Sequence, residues 1–410
     1  MGYSTVKINI TNSILKLKLS GFFLFYSLFI NCQEWGQKTD FPSTERDDAI
    51  AFSIGKIGYV GTGRDATFQY RNDFYQYNAI TYSWSAISSI LGNARQYSTS
   101  FSTNTKGYIF GGITSNGTYL SELQSYSPEN NTWKLETPFP DSGRQSAVAF
   151  SIGENGYIGT GRNGTSSFND FWKYNTTIEL WEQKESFSGD KRYEAVGFSI
   201  GGVGYIGLGT DLQGNYFNDL WKYSSISDSW AQAASFPGNI RTYSSYFVIG
   251  KSLYLYGGMD DNSIFRNEFW QYNTQNDTWT ELPIPTLPLR RGGASFTIAD
   301  CGYITTGIDS TWTRLKDTWS YCIKDTEEIP VHIYPNPTNS SLFIELFNIT
   351  DSANLQIIDI QGKIVKTITI PSNNTLLEFP ANELGLGIYF LKLAQNDGTI
   401  LWLNKFVIQR

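Results

Sequence analysis

Between residues 34 and 324 the chain is written in short apolar and aromatic runs, separated by clusters of Gly, Asn, Asp and Ser. The clearest copy is Gly156 to Asn175, GYIGTGRNGTSSFNDFWKYN, where two apolar runs flank a turn rich in Gly and Asn. Alternation over short runs is common and helical periodicity is absent, so the pattern predicts β-strands joined by tight turns. The pattern also recurs. Tryptophans stand at Trp35, Trp84, Trp133, Trp181, Trp230 and Trp279, with gaps of 49, 49, 48, 49 and 49 residues. After each comes an arginine: Arg46, Arg95, Arg144, Arg192, Arg241 and Arg291. A strand ending in glycines comes next, at Tyr59, Tyr108, Tyr157, Tyr205, Tyr254 and Tyr303. An acidic residue then precedes an aromatic or a leucine, as in Asp170-Phe171-Trp172 and Glu268-Phe269-Trp270, and a tyrosine closes that strand.

A period of 48 or 49 residues with four short strands per unit reads as a β-propeller blade of the kelch kind. One four-stranded sheet cannot bury both faces alone. Blades stacked around an axis bury Trp and Tyr of one against the next, and glycines let the inner strands crowd together. Six arginine–tyrosine sets imply six blades. The sixth set lacks its own closing tryptophan, while Trp35 precedes the first arginine. The segment around Glu34 to Gln37 is therefore expected to supply the outer strand of the last blade, which closes the ring without an open edge. The expected class is all-β: a six-bladed kelch-type propeller over 33–324, then a linker at 325–330 and a small immunoglobulin-like β-sandwich over 331–410.

The ends of the chain suggest a destination. Residues 1–32 carry Lys7, Lys16 and Lys18 before an apolar run from Leu19 to Ile30, too short to span a membrane as a helix. They read as a signal peptide, and cleavage is favoured over lipidation at Cys32 because Asn31 is a poor lipoprotein context. From Val331 the repeat marks vanish, and seven short strands with turn signals take their place. This tail resembles the C-terminal sorting domain of type IX secretion cargo in Bacteroidetes. The resemblance rests on Ile333-Tyr334-Pro335-Asn336-Pro337, Ile360-Gln361-Gly362-Lys363-Ile364-Val365, Gly387-Ile388-Tyr389-Phe390-Leu391-Lys392 and the final Lys405-Phe406-Val407. It implies export across both membranes, with the type IX machinery as the tail's partner and an extracellular or outer-membrane surface location.

Charge and composition then exclude more than they assign. The net charge is −7, which disfavours nucleic acid as a partner. The single histidine, His332, lies in the tail. Kelch propellers house galactose-oxidase-like copper enzymes, but a propeller without histidine does not fit that site. Histidine-based hydrolytic triads and zinc sites are disfavoured for the same reason, so no cofactor and no metal is expected. Carboxylate chemistry remains open, with Asp211, Asp260, Asp261 and Asp309 as loop acids specific to particular blades. Cys301 and Cys322 fall at the start of the second and the end of the third strand of the last blade, so an antiparallel hairpin opposes them, and an oxidising compartment favours a disulfide.

Loops alternate between the two faces of a propeller. The segment entering each blade shares a face with the turn between the second and third strands. Arg46, Arg95, Arg144, Arg192, Arg241 and Arg291 are thereby expected on one face with Arg64 and Arg162, and in similar kelch domains arginines at this place line the ligand face. They could clamp carboxylates or sulfates. Alternatively each pairs with a carboxylate of its own or the next blade, and occurrence in every blade favours that structural role. The function expected is a secreted or surface-displayed binding module for an extracellular glycan, peptide or protein. Two alternatives stand beside it: an enzyme on sugar acids, because six-bladed kelch propellers include a sialic-acid mutarotase, and a structural adhesion protein.

Overall fold

The computed structural model describes residues 34–323 and, in the tail, 331–338, 341–346, 352–370, 375–395 and 400–409. The leader at 1–32, with Cys32, and the linker at 325–330 lie outside the described residues. From Glu34 to Cys322 the chain forms six four-stranded antiparallel sheets. The third is typical: Val148–Ile152, Asn155–Gly159, Phe171–Asn175 and Leu180–Lys184 pair in sequence order. The six inner strands are Ile50–Ile54, Thr99–Ser102, Val148–Ile152, Val196–Ile200, Ser245–Ile249 and Ala294–Ile298, and each touches the next, with the last returning to the first. That cycle is a propeller.

The sixth sheet is assembled from both ends of the ring. Its strands Ala294–Ile298, Cys301–Thr305 and Thr318–Cys322 are completed on the outside by Glu34–Lys38. Trp35 is opposite Tyr321 there, and Cys301 and Cys322 are register partners joined by a disulfide.

Packing between blades obeys one rule. A phenylalanine of each inner strand lies on a glycine in the second strand of the next blade. A Cβ on Gly107, Gly156, Gly204, Gly302 or Gly58 would approach Phe52, Phe101, Phe150, Phe247 or Phe296 to 1.9–2.4 Å. The rings occupy the space a side chain would need. Only the fifth blade departs, where Leu253 packs in the cluster that holds Phe198.

In the tail, Val331–Tyr334, Ser341–Leu346 and Thr375–Pro380 form a three-stranded sheet. Ile364–Ile370, Ala353–Ile358, Gly387–Gln395 and Ile400–Ile408 form a four-stranded one. Leu342, Ile344 and Leu346 of the first share a core with Leu355, Ile357, Leu391 and Phe406 of the second. Strand Ser341–Leu346 alternates buried and half-buried positions, the period-two signature of a face turned to a core.

Candidate functional site

The periodic arginines turn inward. Arg46, Arg95, Arg144, Arg192 and Arg241 are at most 1% exposed. They pair with Asp73, Glu122, Asp170, Asp219 and Glu268 at 2.5–2.8 Å. The sixth member is Arg290, paired with Asp317 at 2.7 Å, and not Arg291. Each guanidinium also donates to the carbonyl of a left-handed residue at the end of the second strand: Thr62, Gly111, Thr160, Leu208, Gly257 or Thr306. The acid before the third strand and the arginine before the first are thus two halves of one ion pair within a blade. The five arginines expected on the ligand face do not reach it, because a desolvated guanidinium is held where carboxylate and carbonyls satisfy it.

The face is built by the residues just beyond each arginine. Two positions on, the backbone is left-handed at Asp48, Tyr97, Ser146, Glu194 and Tyr243, with φ of 53–58°, and at Gly292, with φ of 62°. Backbone bonds of 2.8–3.1 Å join neighbours in this ring: the N–H groups of Asp48, Ser146, Glu194 and Gly292 donate to the carbonyls of Gly292, Tyr97, Ser146 and Tyr243. The belt holds conformations that non-glycine residues rarely adopt. Tyr97 and Tyr243 come from opposite blades and meet over the axis with ring centroids 6.2 Å apart. Below them a cavity of about 280 Å³ runs down the axis between small residues such as Ser98, Ser100, Ala149 and Gly197. Tyr246 also lines it, and its hydroxyl accepts the Gly197 N–H at 3.3 Å.

Beside this ring, a cleft of about 310 Å³ opens between the sixth, first and second blades. Its lining includes Arg64, Arg291, Arg314, Phe68, Trp312 and Asp48. Arg314 is paired with Asp47 at 2.6 Å. Arg291 lies 4.5 Å from the Tyr243 ring, and Arg162, on the third blade, 4.6 Å from that of Tyr193. Arg162 Nε and Arg291 Nε and Nη1 are buried without a hydrogen-bond partner. Among the described residues Arg64, Arg162 and Arg291 have no ion pair.

Charge at the mouth is mixed. Burial pushes the Glu194 carboxyl up to about 7, although the Tyr243 hydroxyl, Arg162 and Arg291 pull it down. Burial likewise raises Asp48 well above the usual carboxylate range; Asp47 adds to the rise, and Arg291 and Tyr97 oppose it. Two reluctant carboxyls therefore share the ring with two arginines that face them without closing an ion pair.

The loop acids have another role. Asp211, Asp260 and Asp309 each accept two N–H groups of their own turn at 2.8–3.0 Å. They shape loops and do not converge on the axis. Of the residues expected at the site, Arg64 and Arg291 meet in the cleft and Arg162 stands across the mouth. Glu194, Asp48, Phe68, Trp312 and Arg314 were not expected. The signal for Glu194 and Asp48 was present, since they occupy equal offsets in a repeat whose residue there changes from blade to blade.

With this geometry the comparisons agree. Residues 93–240 match the KLHDC2/KLHL20/DRC7 Kelch-repeats domain, and residues 240–286 match the Kelch motif. Residues 332–409 match the secretion system C-terminal sorting domain. The chain is a kelch-repeat β-propeller followed by a type IX sorting tail. Among solved structures, that of YjhT aligns with a TM-score of 0.62 at 14% identity, over 70% of this chain and 98% of its own, a likeness of fold. No curated protein matches the chain in sequence. The sorting tail implies interaction with the secretion machinery and export to the cell surface or extracellular space.

Proposed function

We propose that this protein is a secreted or surface-displayed binding propeller whose channel mouth captures an extracellular ligand carrying negative charge. Residues 1–32 act as a cleaved signal peptide, 33–324 as the propeller, 325–330 as the linker and 331–410 as the sorting domain. One observation carries the ligand reading. Six interior arginines are matched with acids, yet Arg291 and Arg162 keep unbonded N–H groups at the mouth. A buried donor without a partner is costly unless a ligand completes it, and the guanidinium fork suits a carboxylate or sulfate. Binding of the full chain to a panel of acidic and neutral polysaccharides tests this. Binding should be confined to acidic ones, weaken with salt, and fall at least tenfold when Arg64, Arg162 and Arg291 are all changed to Gln. Undiminished binding in that variant overturns it. For export, deleting 331–410 should leave the propeller in the periplasm, and arrival at the surface refutes that part.

A second reading is favoured by Glu194. A carboxyl poised near 7 beside two arginines is equipped for general acid–base work on an anion, as a sugar-acid mutarotase or epimerase-like enzyme requires. Acceleration of sugar-acid anomer exchange by NMR, lost in Glu194→Gln, would favour it, and no acceleration removes it.

A further inference from the structure

Two aromatic residues beside the cleft are held where aromatics are rarely found. Phe68 and Trp312 occupy the same place in the turn between second and third strands of neighbouring blades, and both are left-handed, with φ of 64° and 63°. Gly117 and Gly214 fill this place in two other blades, with φ of 83° and 82°, and Ser263 in a third. Glycine is the natural occupant, and a bulky side chain there is strained. Neither residue recovers the strain by burial, since Phe68 is 61% and Trp312 57% exposed. Strain combined with an exposed ring points to a surface kept for contact.

The surroundings narrow the contact. Arg64 and Arg314 lie 4.7 and 5.0 Å from the Phe68 ring, and Arg291 lies 5.3 Å from that of Trp312. Arg314 is neutralised by Asp47, which leaves Arg64 and Arg291 to meet an anion. Asp48 adds a buried carboxyl that accepts a hydrogen bond from the Tyr97 hydroxyl and has lone pairs left for a ligand hydroxyl. A cleft of about 310 Å³ is at the small end of ligand pockets, ~300–1,000 Å³, so it holds one ring and not an extended chain. One negative charge, a hydroxyl and an apolar face together fit a sugar ring that carries an acid group.

We infer that the cleft is a subsite for a pyranose ring bearing one carboxylate or sulfate, stacked against Trp312 and Phe68 with its charge on Arg291 and Arg64. This rests on the reading of the mouth as an anion site, and adds that the ring is recognised as well as the charge. Calorimetric titration of the full chain separates the two. The probes are glucuronate and glucose 6-sulfate, with gluconate as the open-chain anion and methyl glucoside as the neutral ring. At least one cyclic anion should bind tenfold or more tighter than gluconate and methyl glucoside. Phe68→Gly and Trp312→Gly should unfold no more readily than the parent, because glycine suits the backbone, and should bring the cyclic anion down to the affinity of gluconate. Arg291→Gln should lose both anions. If gluconate binds as tightly as the cyclic anions, or the glycine variants keep the ring preference, the stacking inference fails and the anion site stands. If no anion binds the parent, both fail.

Discussion

Arg290 and Arg291 are neighbours with opposite employment. Arg290 is sealed against Asp317, and Arg291 opens on the mouth. The interior pairs were readable in the sequence because both partners recur in every blade. The period also named Arg290, which lies 49 residues after Arg241, but an adjacent arginine obscured the offset. Asp170→Asn strips the nearer charge partner, at 2.5 Å, from a fully buried Arg144, leaving only the more exposed Asp141 at 3.8 Å. It should destabilise the propeller by about 3–5 kcal/mol in denaturant unfolding, whereas Arg64→Gln should change it by less than about 1 kcal/mol. Equal effects would refute the division of labour. Glu194 gives a pH signature. Its folded pKa of about 7 lies above the ordinary 4.5, so between those values the folded state keeps a proton that the unfolded chain has lost. The stability linked to Glu194 is full below pH 4.5 and falls as pH rises to about 7. Glu194→Gln should then be more stable than the parent above pH 7, by on the order of 3 kcal/mol, and the gap should shrink towards pH 4.5. A gap that is constant with pH excludes this. The mouth residues were hidden because they sit where the repeat varies, and a pattern read by its constant positions passes over them.

At the scale of elements, most of the architecture was legible. Strands reveal themselves by alternate burial, and the Phe-on-Gly contact is written as a Phe and a Gly in the same register of every repeat but the fifth, where Leu253 replaces the glycine. The cysteine pairing was readable too, because antiparallel register puts Cys301 opposite Cys322. Their sequence separation of 21 residues gives an expected stabilisation of about 3 kcal/mol. Changing both to Ser should lower the thermal midpoint, and reductant should do the same to the parent and nothing to the variant. A parent indifferent to reductant would refute it. What no periodicity could supply is the direction of the loop side chains. The left-handed turn that raises Phe68 and Trp312 depends on Asp65 and Asp309 accepting backbone N–H groups two and four residues on.

For the whole molecule, the decisive feature is the sixth blade. Trp35 from the first described strand packs against Phe247 and Phe269 of the fifth blade and Tyr321 of the sixth, at 5.2–6.0 Å. A chain lacking 34–38 keeps five complete blades and exposes the edge of Thr318–Cys322. It should unfold at lower denaturant and associate edge to edge in size-exclusion chromatography, and a synthetic peptide of the missing strand should reverse both. An unchanged monomer of parental stability would refute the clasp. The same arrangement has a consequence in time. Strand Glu34–Lys38 waits for the last hairpin of the propeller, so a chain interrupted before Thr318 has nothing for that strand to grip. Ring closure thus certifies that the propeller is full length, and the sorting tail, which comes off the ribosome only afterwards, is attached only to chains able to pass that inspection.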